Sequence, residues 1–264
     1  MDLGMRGRSY LVVGGTAGMG LATAKQVAAE GADVVVVGRN QDRGRAALEA
    51  IEPGPGAAVH AVGADIGTAD GAERMVAEAI ELTGGLDGIA VCTGVLGHIP
   101  LTASDEEWTA AFNDVLLGTT RSVRAVLPHL VERGGGTIVT VAAYGMRSPA
   151  AERIAYGSLK AGVAVLTKGV AKTYGPQGIR ANCVCPGAIE TEVLHSFRQV
   201  FAEQRGYPYE EALERVMVED WNMQVALGRP GQPTEVGELI TFLLSPRAGY
   251  LTGALINIDG GTDF

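Results

Sequence analysis

With 264 residues, 47% of them hydrophobic and 19% charged, the chain can bury the core of one large α/β domain without disulfide or metal staples. Its formal net charge of -9 argues against nucleic acid, whose phosphates are held by clustered Lys and Arg. No apolar run reaches membrane-spanning length, and the short one at 10–13 runs straight into glycines, unlike a secretory leader, so a cytoplasmic protein is expected.

Short β-branched runs alternate with longer amphipathic segments from one end to the other. SYLVV at 9–13 reads as a strand, and the stretch near 18–30 as a helix. DVVVV at 33–37 follows, then a helix over 42–51 closed by the PGPG turn at 53–56. AVHAV at 58–62, a helix near 69–82 and GIAVC at 88–92 come next. A single long helix is predicted over roughly 105–131, then GTIVTV at 136–141 and a helix near 155–174. IRANCV at 179–184 and LINI at 255–258 complete seven strands. Near-continuous apolar strands with helices between them require a parallel sheet covered on both faces. Right-handed crossovers then make it doubly wound, in a single domain spanning 1–264.

The segment at about 187–230 breaks this rhythm. It holds Phe197, Phe201, Tyr207, Tyr209 and Trp221 among charges and is too long for a simple connection. It reads either as two short helices forming a substrate lid over the carboxyl ends of the strands, or as a surface excursion. Cys92, Cys183 and Cys185 lie in or beside strand runs. Alternate strand residues face opposite ways, so Cys183 and Cys185 make a poor joint ligand set and no metal is expected.

The first strand runs into Val13-Gly14-Gly15-Thr16-Ala17-Gly18-Met19-Gly20, which opens the first helix. Gly14 permits the tight turn, Gly18 a close backbone approach to a pyrophosphate, and Gly20 close helix–strand packing. The helix N-terminus offers free N–H groups and positive dipole to the anion. The strand–turn–helix context marks a Rossmann dinucleotide site, to which Thr16 and Met19 also belong. At the end of the second strand, an acid would hold the ribose 2′-hydroxyl of NAD; Gly38, Arg39 and Asn40 stand there instead. Arg39 supplies a fork for a 2′-phosphate, so NADP(H) is expected over NAD(H), unless Arg39 is only a solvated surface charge. Asp65, with Ile66 beside it, either meets the adenine or caps the next turn.

Tyr156-Gly-Ser-Leu-Lys160 places a phenol and an ammonium on one helix face. A cation beside the phenol is expected to lower its pKa and fit it for proton transfer to a carbonyl.

Taken together, the chain resembles a short-chain dehydrogenase/reductase over essentially its whole length. The resemblance rests on the glycine turn, Asp65-Ile66, Gly94, Tyr156 and Lys160, Pro186-Gly187-Ala188-Ile189-Glu190-Thr191, Gly228-Arg229-Pro230 and the Asp259-Gly260-Gly261 ending. It implies that Tyr156 and Lys160 are catalytic, and that Gly94, Pro186, Gly187, Ile189 and Thr191 line the cofactor, the last two at the nicotinamide carboxamide. It also implies a homo-oligomer, a tetramer or dimer, with which the apolar stretches at 241–244 and 255–258 are compatible. The enoyl-reductase branch sets six residues between tyrosine and lysine; here that spacing leads to Arg153, which disfavours it.

The chain departs from the family at several positions. The serine thirteen residues before the tyrosine is Ala143, and the asparagine of the fourth helix is Val115, or Asn113 if the register slips by two. Asn-Asn-Ala-Gly after the fourth strand becomes Val91-Cys92-Thr93-Gly94. Losing one oxyanion donor costs on the order of 3 kcal/mol in the transition state, so Tyr144, Ser148 and His98 are candidates to replace it. Ala143 and Trp221 complete the expected substrate surroundings. The expected function is NADPH-dependent reduction of a ketone. Two alternatives remain: non-redox chemistry on bound NADP, such as cyclisation, dehydration or isomerisation, and cofactor sensing without turnover.

Overall fold

The structure, a computed structural model, describes residues 2–94 and 99–262. Seven strands form one sheet, paired in parallel throughout: β1 (Ser9–Val13), β2 (Asp33–Gly38), β3 (Val59–Gly63), β4 (Gly88–Val91), β5 (Gly136–Val141), β6 (Ile179–Pro186) and β7 (Leu255–Ile258). Their order is β3-β2-β1-β4-β5-β6-β7. The chain winds outward from β1 to β3, returns to β4 beside β1, and winds out the other way. That reversal opens a crevice at the carboxyl ends of β1 and β4, where such sheets take their ligands.

Both faces of the sheet are buried, which explains the unbroken apolar runs. Val12, Val34 and Val36 pack against α1 (Gly18–Ala29) and α9 (Pro233–Leu244), whereas Leu11, Val13, Val35 and Val37 pack against α3 (Ala69–Thr83), α5 (Gly118–Glu132) and α6 (Ile154–Tyr174). Between these, α2 (Gln41–Ala50) starts on an Asn40 cap whose side chain accepts from the Arg43 N–H.

One element differs from the sequence expectation. The long fourth helix is broken: α4 (Asp105–Phe112) passes through a π-helical turn, Asn113–Leu117, into α5. The extra residue rotates everything after it, and such turns gather near functional sites. The helix α9 carries a Gln232–Glu235 capping box with Pro233 in its first turn. Its Thr241, Leu243 and Leu244 are buried within the chain, so the 241–244 stretch is core and not a free apolar face. The 187–230 segment holds two helices, α7 (Glu192–Arg205) and α8 (Tyr209–Glu219). No helix among the described residues is long and apolar enough to cross a membrane, and no His, Cys, Asp and Glu cluster among them could hold a metal.

Candidate active site

Two cavities meet at the switch point and share Arg43, Thr93 and Gly94, making one cleft. The first, of about 510 Å³, runs from Gly14 and Thr16 along Gly38, Arg39 and Asn40 to Asp65 and Ile66. The second, of about 430 Å³, passes Gly18, Met19 and Gly20 to Tyr156 and Lys160, then Pro186, Gly187, Ile189 and Thr191.

The glycine turn is built for a phosphate. A β-carbon on Gly20 would lie 2.1 Å from the Gly14 carbonyl oxygen, so only glycine lets α1 come this close to β1. Ala17 leaves α1 without a side-chain cap, and its first N–H groups face the cleft. At the cleft floor, Thr93 Oγ1 is buried without a hydrogen-bond partner among the described residues. A glycine cradle, an uncapped helix N-terminus and an orphaned hydroxyl together fit a dinucleotide. Thr191 caps α7 without a side-chain bond, which leaves its hydroxyl available to the same cleft.

At the end of β2, a β-carbon on Gly38 would meet Thr16 Oγ1 at 2.7 Å. An acid there would have to displace Thr16. Arg39 and Arg43 line the first cavity, and neither guanidinium has a partner among the described residues. Asp65 Oδ1 accepts from the Gly67 N–H at 2.9 Å, so it caps its own turn while lining the cavity.

Lys160 is 2% exposed, and its ammonium donates to the carbonyls of Thr93 at 2.9 Å and Val141 at 2.7 Å. Burial pulls its pKa down to about 8. Its Nζ sits 5.7 Å from the centre of the Tyr156 ring. The expected acidification of Tyr156 is not found: burial pushes the phenol up to about 12, against a smaller downward pull from Arg153. The ammonium is committed to two backbone carbonyls, and desolvation of the phenolate wins.

A family model described as enoyl-(acyl carrier protein) reductase matches residues 14–263. The short-chain reductase protein NovJ of Streptomyces niveus is 32% identical over 95% of this chain and 92% of its own. Among solved structures, L-sorbose reductase from Gluconobacter frateurii, complexed with NADPH and L-sorbose, superposes with a TM-score of 0.92 at 29% identity, covering 99% of this chain and 98% of that one. A 7α-hydroxysteroid dehydrogenase complexed with NADH gives 0.85 at 25% identity, over 99% and 96%. The chain belongs to the short-chain dehydrogenase/reductase family. Its relatives are oxidoreductases, among them one solved with NADPH and one with NADH.

Against that family pattern, the replaced positions take clear places. Ala143 is 8% exposed and presents only a methyl group to the second cavity. Val115, in the π turn, is buried among Ala142, Leu159, Val163 and Cys183. Asn113 offers no substitute: its amide donates to the Gly67 carbonyl at 3.0 Å and accepts from Arg121 at 2.7 Å. Of the replacement donors, Tyr144 lines the second cavity, and its hydroxyl bonds to no described residue. Burial raises its pKa, so it remains a protonated donor. Ser148 is exposed and lines an adjoining depression beside Asp220, which shares Tyr144, Arg153 and Trp221 with the second cavity. His98 lies outside the described residues.

Trp221 reaches the second cavity from the segment after α8 and packs edge-on against Phe201. Arg198, buried under α7, braces that region. It donates to Glu190 at 2.7 Å and to both carboxylate oxygens of Glu214 at 2.8 Å, and also to the Glu210 carbonyl. Burial pushes the Glu190 carboxyl up, but bonds from Arg198 and Gln232 outweigh this and hold it below its ordinary value. Sequence reasoning missed Arg153 and Arg43 as site residues. Arg153 lines the second cavity one turn before Tyr156, and its three-residue spacing from the tyrosine was the available signal.

Proposed function

We propose that the protein is an NADPH-dependent carbonyl reductase in which Tyr156 is the proton donor. The observation that carries this reading is the position of Tyr156 and Lys160 beside Gly94, where the dinucleotide cleft opens into the second cavity. A bound reduced nicotinamide dinucleotide would supply the hydride. The N-terminus of α1 would hold its pyrophosphate, Lys160 its ribose, and Ile189 with Thr191 its carboxamide. Arg39 and Arg43 would bind the 2′-phosphate, with no acid at the end of β2 to favour the unphosphorylated ribose.

The substrate carbonyl sits between Tyr156 and Tyr144. The Tyr156 hydroxyl gives its proton to the carbonyl oxygen as the carbon receives hydride, and Tyr144 donates a hydrogen bond to the same oxygen in place of the missing serine. A phenol held near 12 stays protonated at neutral pH, which suits an acid in reduction better than a base in oxidation. The position of Arg153, where the enoyl-reductase branch has its tyrosine, favours a carbonyl over a carbon–carbon double bond. The helices α7 and α8 act as the substrate lid. We place the enzyme in the cytoplasm as a homo-oligomer, to which the 73% exposed Val165 on the outer face of α6 offers an apolar contact.

The test follows NADPH absorbance with a panel of ketones, wild type against Tyr156→Phe. Tyrosine-dependent oxidation of NADPH is expected. Product without cofactor consumption would favour non-redox chemistry, the reading to which the apolar Ala143 and Val115 point. Tight dinucleotide binding with neither outcome would leave a sensor.

A further inference from the structure

We infer that the second cavity selects carbonyl substrates that carry a carboxylate, and that Arg153 binds it. This rests on Tyr156 acting as the reductase acid and adds the substrate class.

Arg153 closes the short 3-10 turn Ala151–Arg153 and stands immediately before α6. Three residues ahead of Tyr156, it lies on the same side of the helix as the phenol. Both line the 430 Å³ cavity, together with Tyr144 and Trp221. The charge of Arg153 is felt by both phenols, pulling each downward against the larger effect of burial.

The guanidinium is held but not neutralised. Its central carbon lies 5.9 Å from the centre of the Trp221 ring, within reach of a cation–π contact, and the residue is half-buried at the cavity wall. The Arg153 backbone N–H donates to the Ala150 carbonyl, but its guanidinium forms no hydrogen bond or ion pair with any described residue. Of the acids around it, Asp220 is engaged with Arg205 and Glu190 and Glu214 with Arg198, while its chain neighbour Glu152 is exposed and forms no ion pair with it among the described residues. Of the residues lining the cavity, Glu192 alone is acidic, and it is exposed on α7.

A half-buried cation without a counter-ion in a substrate cavity is a costly arrangement unless the ligand completes it. A planar guanidinium fork with no side-chain hydrogen bond of its own matches a carboxylate bidentately. With the carbonyl fixed at Tyr156, the matching ligand is an oxo acid. Its carbon chain lies against the apolar wall of Ala143, Ala188 and Leu194.

The chain has two tryptophans, so Trp108→Phe leaves Trp221 as the single indole reporter. In that background, the NADP⁺-loaded protein is titrated with oxo acids from 2-oxobutanoate to 6-oxoheptanoate and with the corresponding amides, reading Trp221 emission. At least one acid is expected to saturate about tenfold or more tighter than its amide, the size of a charge-assisted hydrogen bond. Arg153→Gln is expected to bring that ratio close to one, and Arg153→Lys to keep part of it. Equal binding of acid and amide, an unchanged ratio in Arg153→Gln, or no saturation by any acid overturns the inference. Following NADPH absorbance in the wild type beside the titration separates the two readings. An acid preference that persists without any NADPH-dependent turnover sinks the reductase and leaves the carboxylate site. Turnover of neutral ketones with no acid preference does the reverse.

Discussion

A β-carbon on Gly94 would lie 2.6 Å from Nζ of Lys160. Gly94 also has φ of +138°, a backbone conformation that side-chain-bearing residues rarely adopt. The glycine after β4 is therefore the socket for the buried ammonium, and the two carbonyls that hold Lys160 come from the flanking Thr93 and from Val141. Gly94→Ala is expected to cost about 1–3 kcal/mol through backbone strain and to push the ammonium off its carbonyls. Thermal unfolding should register the first effect, and calorimetric titration with NADPH should show weaker binding. A variant with unchanged melting and affinity would remove Gly94 from this role.

Lys160 and Tyr156 give the protein opposite pH dependences. Lys160 titrates at about 8 in the fold and at 10.5 ordinarily, so between these values the unfolded chain binds more protons. Stability therefore rises with pH across that window, by roughly 3 kcal/mol in all. Tyr156 shifts from 10 to about 12, so its contribution is complete below pH 10 and is lost as pH rises through 12. Urea unfolding without added dinucleotide at pH 8, 9 and 10 should give a stability that climbs in wild type and stays flatter in Lys160→Met. Parallel slopes in the two proteins would contradict the assignment.

Tyr144 and Ala143 make a paired prediction. With Ala143 unable to donate, Tyr144→Phe should lower kcat by roughly a hundred- to a thousand-fold, the cost of one oxyanion donor. Ala143→Ser should restore part of that loss in the Tyr144→Phe background and add little in wild type. A Tyr144→Phe enzyme with undiminished kcat would mean that the substrate supplies its own activation.

The strands were legible because a sheet buried on both faces leaves little choice of residue: Val34 to Val37 are all at most 1% exposed. The glycine turn, Tyr156 and Lys160 were equally legible, since each is a fixed spacing within one element. What spacing could not reveal was rotation and burial. The π turn adds a single residue per turn without a proline to announce it, so 105–131 read as one helix. Likewise, the helix face gives the partner of Tyr156 but not the dryness of its surroundings, which decides the direction of its pKa. Arg153 and Trp221 meet only when the start of α6 and the segment after α8 converge, a contact across 68 residues of chain with no local signature.

Arg198 makes the lid a unit. Its side chain is 7% exposed and ties Glu190, before α7, to Glu214 on α8. Truncating one partner of such a buried pair leaves the others uncompensated, a cost of about 3–5 kcal/mol. Arg198→Ala should therefore loosen α7 and α8 before the rest of the fold. Amide exchange should accelerate across 192–219 while the strands of the sheet keep their protection. Uniform acceleration, or none, would show that the network does not brace this region selectively.

The end of β2 sets the last prediction. Thr16 fills the space that a side chain at position 38 would need, and the Arg39 and Arg43 guanidinium groups have no partner among the described residues at the cavity wall. A 2′-phosphate would gain charge-assisted bonds from these forks that a ribose hydroxyl cannot make, each worth about 1.5–3 kcal/mol. Arg39→Ala should therefore weaken NADPH by at least about tenfold while leaving NADH nearly unchanged. Gly38→Asp should also lower NADPH affinity, because its carboxylate repels the phosphate and its β-carbon displaces Thr16. Isothermal titration with both dinucleotides measures each effect. Equal loss of the two cofactors in Arg39→Ala would mean that Arg39 shapes the pocket without reading the phosphate.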